Sequence, residues 1–275
     1  MTWVIKMNIN DYGMDSPIRW VGGKSKLRKE LISRFCQHKT YVEVFGGALW
    51  TFFYKQQSDV EVINDINGEL INFYKVLQSN PEGLIKGIKY LLNSREIYKL
   101  FYNMDISKLS PLARAVRFYY LISFSFGGKL DGTWGCGTDR KHGMDFWDSD
   151  VINKCSERLR HCYIENLSYD SLIPRYDREH TLFYIDPPYY GVNYYFNSDN
   201  SKINFSNEHD NLAEILKSIE GKFVLSYNDC DEVRELYEGF IIEEVSLVYS
   251  ISKDNNDIVG NELIIRNYSG RTMLR

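Results

Sequence analysis

The sequence predicts an α/β protein, a mostly parallel sheet with helices on both faces, interrupted by one helix-rich insertion. Three observations carry this. Short apolar runs alternate with segments of helical periodicity over residues 26–80; the rhythm stops at Pro81; and it resumes near Tyr163 and persists almost to the end of the chain. Strands separated by helices are joined by crossovers, so they lie parallel and are covered on both sides.

The elements follow in order. KLRKELISRFC (26–36) has helical spacing, TYVEVFGG (40–47) reads as a buried strand ending in glycines, and ALWTFFYKQQ (48–57) continues as a helix. VEVINDIN (60–67) is a second strand and GELINFYKVLQSN (68–80) a second helix, stopped before Pro81. Residues 77–163 form the expected inserted domain, with helices in PEGLIKGIKYLLNS, PLARAVRFYYLISFSF and SDVINKCSERLRHC. A glycine-rich hairpin is expected near 124–142, because Asp131-Gly132 suits a type I′ turn. Residues 1–76 and 164–275 then make the second, discontinuous domain, with strands in CYIENLS, TLFYIDPP, KFVLSYND, EEVSLVYSIS and ELIIRNYS and helices in SNEHDNLAEILKSIE and DEVRELYEG.

Composition narrows the class. With 44% hydrophobic and 25% charged residues and no apolar run of membrane-spanning length, the chain reads as a globular protein with no membrane partner. The first residues lack the apolar core and small-residue cleavage site of a secretory signal, so an intracellular, cytoplasmic setting is expected. Five scattered cysteines suit reduced thiols, and no paired C-x-x-C completes a zinc site, so no metal is expected. The net charge of −4 divides unevenly: residues 77–163 hold 13 Lys+Arg against 9 Asp+Glu, leaving 20 against 28 elsewhere. A basic module on an acidic body suits phosphate contacts, and equally suits a solvated helical face.

Ligands of open parallel sheets bind beyond the carboxyl ends of the strands, and several strand ends here carry suggestive residues. EVFGG places Glu43 and a glycine pair, Gly46 and Gly47, where backbone can approach a ligand, although a tight strand-to-helix turn also wants glycine. Asp65 follows one β/α unit later, where dinucleotide folds set an acid on a ribose diol. SYDSL offers Asp170. RWVGGK offers Trp20, Gly22, Gly23 and Lys24, but GGKS is no P-loop, since the pattern needs glycine at position 18 and the residue is Ile18. In YIDPPYY, Pro187 and Pro188 lock the turn after Asp186 and leave carbonyl acceptors beside its carboxylate, with the Tyr189 ring just beyond. Two acceptors and an aromatic face suit a planar ring bearing an NH₂ group, such as a nucleobase. A purely structural turn has the same sequence.

These motifs, in the order RWVGGK (19–24), VEVFGGA (42–48), INDINGELI (63–71), an insertion, SYDSL (168–172), YIDPPY (184–189), VLSYND (224–229) and NELII (261–265), resemble the Dam-like, D12-class DNA adenine N6-methyltransferases. The resemblance spans nearly the whole chain. It implies a Rossmann-like S-adenosylmethionine-dependent fold in which Trp20, Lys24 and Asp65 bind the cofactor, with Asp65 on the ribose. Glu43, Phe45 and Gly47 shape the same pocket, Asp170 lies near the cofactor's adenine, and Asp186 stands between cofactor and target amine. Tyr189 stacks on an adenine flipped out of double-stranded DNA. The insertion becomes the target-recognition domain, with Lys129, Arg140 and Lys141 in the hairpin segment and Arg114 and Arg117 on the preceding helix as candidate DNA contacts. The chain departs from the family at Leu49, where the first motif often has another glycine.

A cytosine N4-methyltransferase faces the same chemistry, but its motif usually begins with serine; RNA and protein-glutamine enzymes usually begin with asparagine. The rival of another class is a DNA-binding protein that has lost catalysis. A monomer of bacterial or phage origin is expected, and a paired restriction endonuclease is compatible with it.

Overall fold

Runs rich in β-branched and aromatic residues assemble into one sheet, and their alternation decides which helices each face receives. The computed structural model describes residues 13–125, 128, 130, 133–135, 147–191, 195–196, 202–203, 205–250 and 257–270. Its strands are β1 (Thr40–Glu43), β2 (Val60–Asn64), β3 (Tyr163–Glu165), β4 (Thr181–Ile185), β5 (Tyr195–Phe196), β6 (Lys202–Ile203), β7 (Lys222–Asn228), β8 (Ile241–Ser250) and β9 (Asp257–Arg266). Seven of them form a sheet in the order β3-β2-β1-β4-β7-β9-β8, while β5 and β6 pair separately. All neighbours are parallel except β9, which runs antiparallel to both β7 and β8.

The helices are α1 (Arg28–Ile32), α2 (Trp50–Tyr54), α3 (Gly68–Ser79), α4 (Pro81–Ile88), α5 (Arg95–Tyr102), α6 (Pro111–Phe124), α7 (Ser149–Leu159), α8 (Tyr169–Tyr176), α9 (His209–Ser218) and α10 (Asp231–Leu236). Tyr41, Ile63, Leu182, Tyr184 and Val224 point to one face, into a core shared with α1 to α4, α6 and α7. Their strand neighbours Val42, Val62, Phe183, Ile185 and Leu225 point to the other, against α8, α9 and α10. The period of two along each strand produces this division.

Polar caps set the starts of helices α4 to α7. Asn80 accepts from Gly83 N at 3.0 Å, with Pro81 at the first position of α4, so the proline that stops α3 also starts the next helix. Ser94, Ser110 and Asp148 cap α5, α6 and α7 in the same way. Helix α7 is pinned to the sheet at a buried cluster, where Arg158 donates to Glu61 of β2 and to the Phe52 carbonyl, and Lys55 donates to Glu61 at 2.5 Å. A smaller aromatic cluster of Tyr98, Tyr120, Leu121 and Phe124 joins α5 to α6, with Trp134 stacked on Phe124 at 4.8 Å.

Several expected boundaries move. The helix expected over 26–36 shortens to α1, because Arg34 and Phe35 bond back three residues and tighten the chain into turns. That expected over 48–57 begins only at Trp50, because Leu49 takes a left-handed conformation at φ 55°. Helices α5 and α8 were not expected; α8 begins inside SYDSL. Of the expected hairpin, Asp131-Gly132 and all of 136–142 lie outside the described residues, while Ser125 and Trp134 form an antiparallel bridge. Among the described residues no helix is long and apolar enough to cross a membrane.

Candidate active site

The chain leaves β1 toward β2 and β3 on one side, and returns through β4 to β7 on the other. The strand order therefore reverses between β1 and β4, where open α/β sheets bind ligands. Register aligns the motif ends there: Glu43 lies level with Ile63 and with Tyr184, and Ile185 with Leu225. Because β9 runs the opposite way, Glu262 pairs with Asn228 and arrives at the same end.

Asp186 leaves β4 facing Lys24, whose Nζ stands 2.9 Å from Asp186 Oδ1 and 4.0 Å from Glu262 Oε2. The Lys24 ammonium also donates to the Gly22 carbonyl at 3.0 Å and lies 4.6 Å from the Tyr189 ring centroid. Behind Asp186, Ser226 Oγ donates to Oδ1 at 2.9 Å and lies 3.3 Å from the Tyr184 hydroxyl. Burial raises the Asp186 carboxyl above its ordinary range; Lys24 opposes that, while Glu262 adds to it. Burial and the same two carboxylates push the Tyr189 phenol far up, so it stays neutral. Trp20, Gly22, Gly23, Lys24, Tyr189 and Glu262 line a cavity of about 340 Å³, within the range of small-molecule sites.

A second group of expected residues forms the neighbouring rim. Asp65 accepts from Gly47 N at 3.0 Å and from Asn67 N at 2.8 Å, tying the turn after β1 to the turn after β2. Gly47 has φ 48°, and a Cβ there would stand 2.9 Å from the Trp20 ring, so this turn carries glycine to admit the indole. Asn64 bonds the Val44 and Leu167 carbonyls, and Asn166 the Asp65 carbonyl, holding three strand ends together.

Leu49 adopts the left-handed conformation to which glycine is suited, and it is 1% exposed. The departure noted in the sequence is thus a strained backbone held by a packed side chain.

Other expected residues are placed differently. Glu43 is 2% exposed and accepts from Tyr41 Oη at 2.7 Å and Thr51 Oγ1 at 2.8 Å, beneath the cavity rather than lining it. Burial drives its carboxyl up to about 8 against those hydroxyl donors and Lys55. Phe45 stacks on Tyr169 at 5.9 Å, on the α8 side of the sheet. Asp170 is exposed in the first turn of α8 and accepts from Ser168. Arg114 pairs with Glu69 of α3. Arg117, 5% exposed, donates to the carbonyls of Phe101 and Tyr102, so its guanidinium faces the end of α5 and not the surface. Lys129, Arg140 and Lys141 lie outside the described residues. Tyr190, read as packing, contacts the His209 ring at 4.9 Å.

The sequence reading passed over Ser226 and Glu262, although both belong to motifs it quoted. Their signal was a polar residue inside an otherwise apolar strand, which a buried position accommodates only with partners.

The geometry can be set beside known proteins. Residues 20–251 match the family described as D12 class N6 adenine-specific DNA methyltransferase. The chain is 27% identical to the type II methyltransferase M.CviBI of Paramecium bursaria Chlorella virus NC1A, covering 91% of this chain and 98% of that one. It is 28% identical to the type II methyltransferase M1.LlaDCHI of Lactococcus lactis subsp. cremoris, over 91% and 94%. A DNA adenine methylase of Haemophilus influenzae is 23% identical, over 86% and 87%. The match covers most of the chain and includes every residue of the cavity except Glu262. This protein belongs to the D12 class of N6 adenine-specific DNA methyltransferases.

Proposed function

We propose that the chain transfers the methyl group of S-adenosylmethionine to N6 of an adenine flipped out of double-stranded DNA, with Asp186 as the group that meets the amine. The observation that carries this is the Lys24–Asp186 pair at 2.9 Å, whose Lys24 lines a cavity together with Tyr189. The cavity fits the cofactor: it has room for a small molecule, aromatic surface in Trp20 and Tyr189, and both signs of charge for a zwitterionic methionyl end. Trp20, Gly22, Gly23 and Lys24 would hold that end, and Asp65, next to Gly47, the ribose.

S-adenosylmethionine supplies an electrophilic methyl group and retains the C–S bonding pair on its sulfur. Asp186 and the Pro187 carbonyl accept hydrogen bonds from the two N6 hydrogens, drawing the lone pair out of the ring's conjugation toward the methyl. Lys24 and Ser226 hold the carboxylate in place. Asp186 need not remove a proton beforehand, because the N6 proton is released after the new N–C bond has formed. Tyr189 offers its face to the extruded base, whose unstacking costs a few kcal/mol.

Residues 77–163 serve in this reading as the target-recognition domain, with Lys129, Arg140, Lys141 and Arg114 as candidate DNA contacts. The enzyme acts as a monomer on cytoplasmic DNA of bacterial or phage systems, with or without a paired endonuclease. Expression in a host devoid of adenine methylation, followed by mapping of modified bases, tests it. N6-methyladenine in one sequence context is the expected result; its absence with folded protein and cofactor present overturns the proposal, and N4-methylcytosine would redirect it.

A further inference from the structure

The parallel ladder between β4 and β7 ends at the Ile185–Leu225 pair, yet β7 runs three residues further, to Asn228. Pro187 and Pro188 have no N–H with which to continue it. Beyond that pair, side chains of β7 take over. Ser226 Oγ donates to Asp186, and Asn228 grips Tyr190 twice: its Oδ1 accepts from Tyr190 N at 3.0 Å and its Nδ2 donates to the Tyr190 carbonyl at 3.3 Å. Ser226 and Asn228 are two residues apart and so share one side of the strand. A primary amide offers the acceptor and the donor that a peptide group needs, so Asn228 stands in for the ladder that the prolines end. Its grip falls on the residue directly after Tyr189. The Tyr190 ring is held as well, 4.9 Å from that of His209, which hydrogen-bonds the Tyr227 hydroxyl, and the Tyr227 ring lies 6.0 Å from that of Tyr189. Tyr189 is thus bounded by a proline of fixed φ before it and a two-point clamp after it.

We propose that Asn228 is a positioning residue, whose side-chain amide holds the Tyr190 backbone so that the Tyr189 ring keeps the plane against which the extruded base stacks. This rests on the function proposed above. A ring fixed before the base arrives loses less freedom on stacking, and orienting the reacting groups is a large part of catalysis. Asp186 has its own supports in Ser226 and Lys24, so loosening Tyr190 leaves the acceptor for the amine where it is. The carboxylate and the stacking surface are therefore held separately. Loss of the clamp acts on capture of the base and spares the cofactor.

Single-turnover methylation by the full chain tests this on two duplexes that carry the mapped target site. In one the adenine is paired with thymine; in the other it faces an abasic position, where extrusion costs less. Asn228→Asp keeps the acceptor for Tyr190 N–H but sets an oxygen against the Tyr190 carbonyl, and Asn228→Ala removes both bonds; either variant that folds suffices. Each is expected to transfer methyl about tenfold more slowly than wild type on the paired duplex and to come within about threefold of it on the abasic one. Calorimetry should find S-adenosylmethionine bound within about twofold of wild type. Unchanged transfer on the paired duplex would overturn the proposal. So would a loss of equal size on both duplexes, or one matched by weaker cofactor binding, since a general loosening of the fold ignores how the base is paired. Wild type that methylates neither duplex would instead overturn the methyl-transfer reading itself.

Discussion

Two buried ionic clusters lie at opposite ends of the same sheet, built from nearly the same parts. At the amino end of β2, Glu61 accepts from Lys55, Arg158 and the Ser58 backbone, so one carboxylate meets two cations. Burial alone would raise its pKa, but Arg158 and Lys55 outweigh it and hold Glu61 below the usual range. At the carboxyl ends the ratio inverts: two carboxylates meet one ammonium, and the Asp186 carboxyl is held above its usual range. The first cluster is enclosed and joins α7 to the sheet; the second opens on a cavity. Enclosure against access to a cavity therefore separates a structural rivet from a site open to a ligand.

The comparison breaks most readily at Asp186. Asp186→Ala is expected to lower methyl transfer by at least about a hundredfold while the fold survives, as loss of one preorganised acceptor does elsewhere. Single-turnover methylation of duplex DNA checks this, and near-normal turnover would remove Asp186 from the chemistry. Arg158→Ala should do the reverse. Removing one partner of a buried pair costs about 3–5 kcal/mol, visible in urea unfolding, with little change in turnover per folded molecule.

Glu43 sharpens the comparison through pH. Its folded pKa of about 8 exceeds the ordinary carboxylate value, so the folded state binds the proton more tightly than the unfolded chain. Between the two pKa values stability falls as pH rises, by up to about 1.4 kcal/mol per pH unit. Glu43→Gln should remove that slope, so the variant gains on wild type from pH 5 to pH 8 in parallel denaturation series. A constant difference would show Glu43 ionised in the fold. The smallest effect concerns the backbone. Glycine is ordinarily worse than alanine, but at φ 55° Leu49→Gly should be more stable than Leu49→Ala by about 1 kcal/mol. Thermal unfolding of the two variants decides it.

Much of the site was legible because its residues sit where strands end. Asp65 and Asp186 follow apolar runs, and glycine and proline punctuation around them marks turns with few conformations. Leu49 was visible as a departure, though not its left-handed backbone, which follows from how the turn packs. Helix α8 escaped because Pro174 and sparse periodicity mask its helical signal. Arg117 looked like a surface cation on a basic helix, and only the packing of α5 shows its guanidinium turned onto carbonyls.

By itself the sequence determined the α/β character, most of the strands of the sheet and the family, since these depend on local periodicity and contiguous motifs. It also placed Lys24, Asp65, Asp186 and Tyr189 among the candidates. Tertiary structure alone decided which of them meet. Lys24, Asp186 and Glu262 are far apart in sequence, and their contact depends on the parallel register of β4 and the reversed direction of β9. Which buried charges meet is decided by such distant neighbours, so it has no signature in any single stretch of chain.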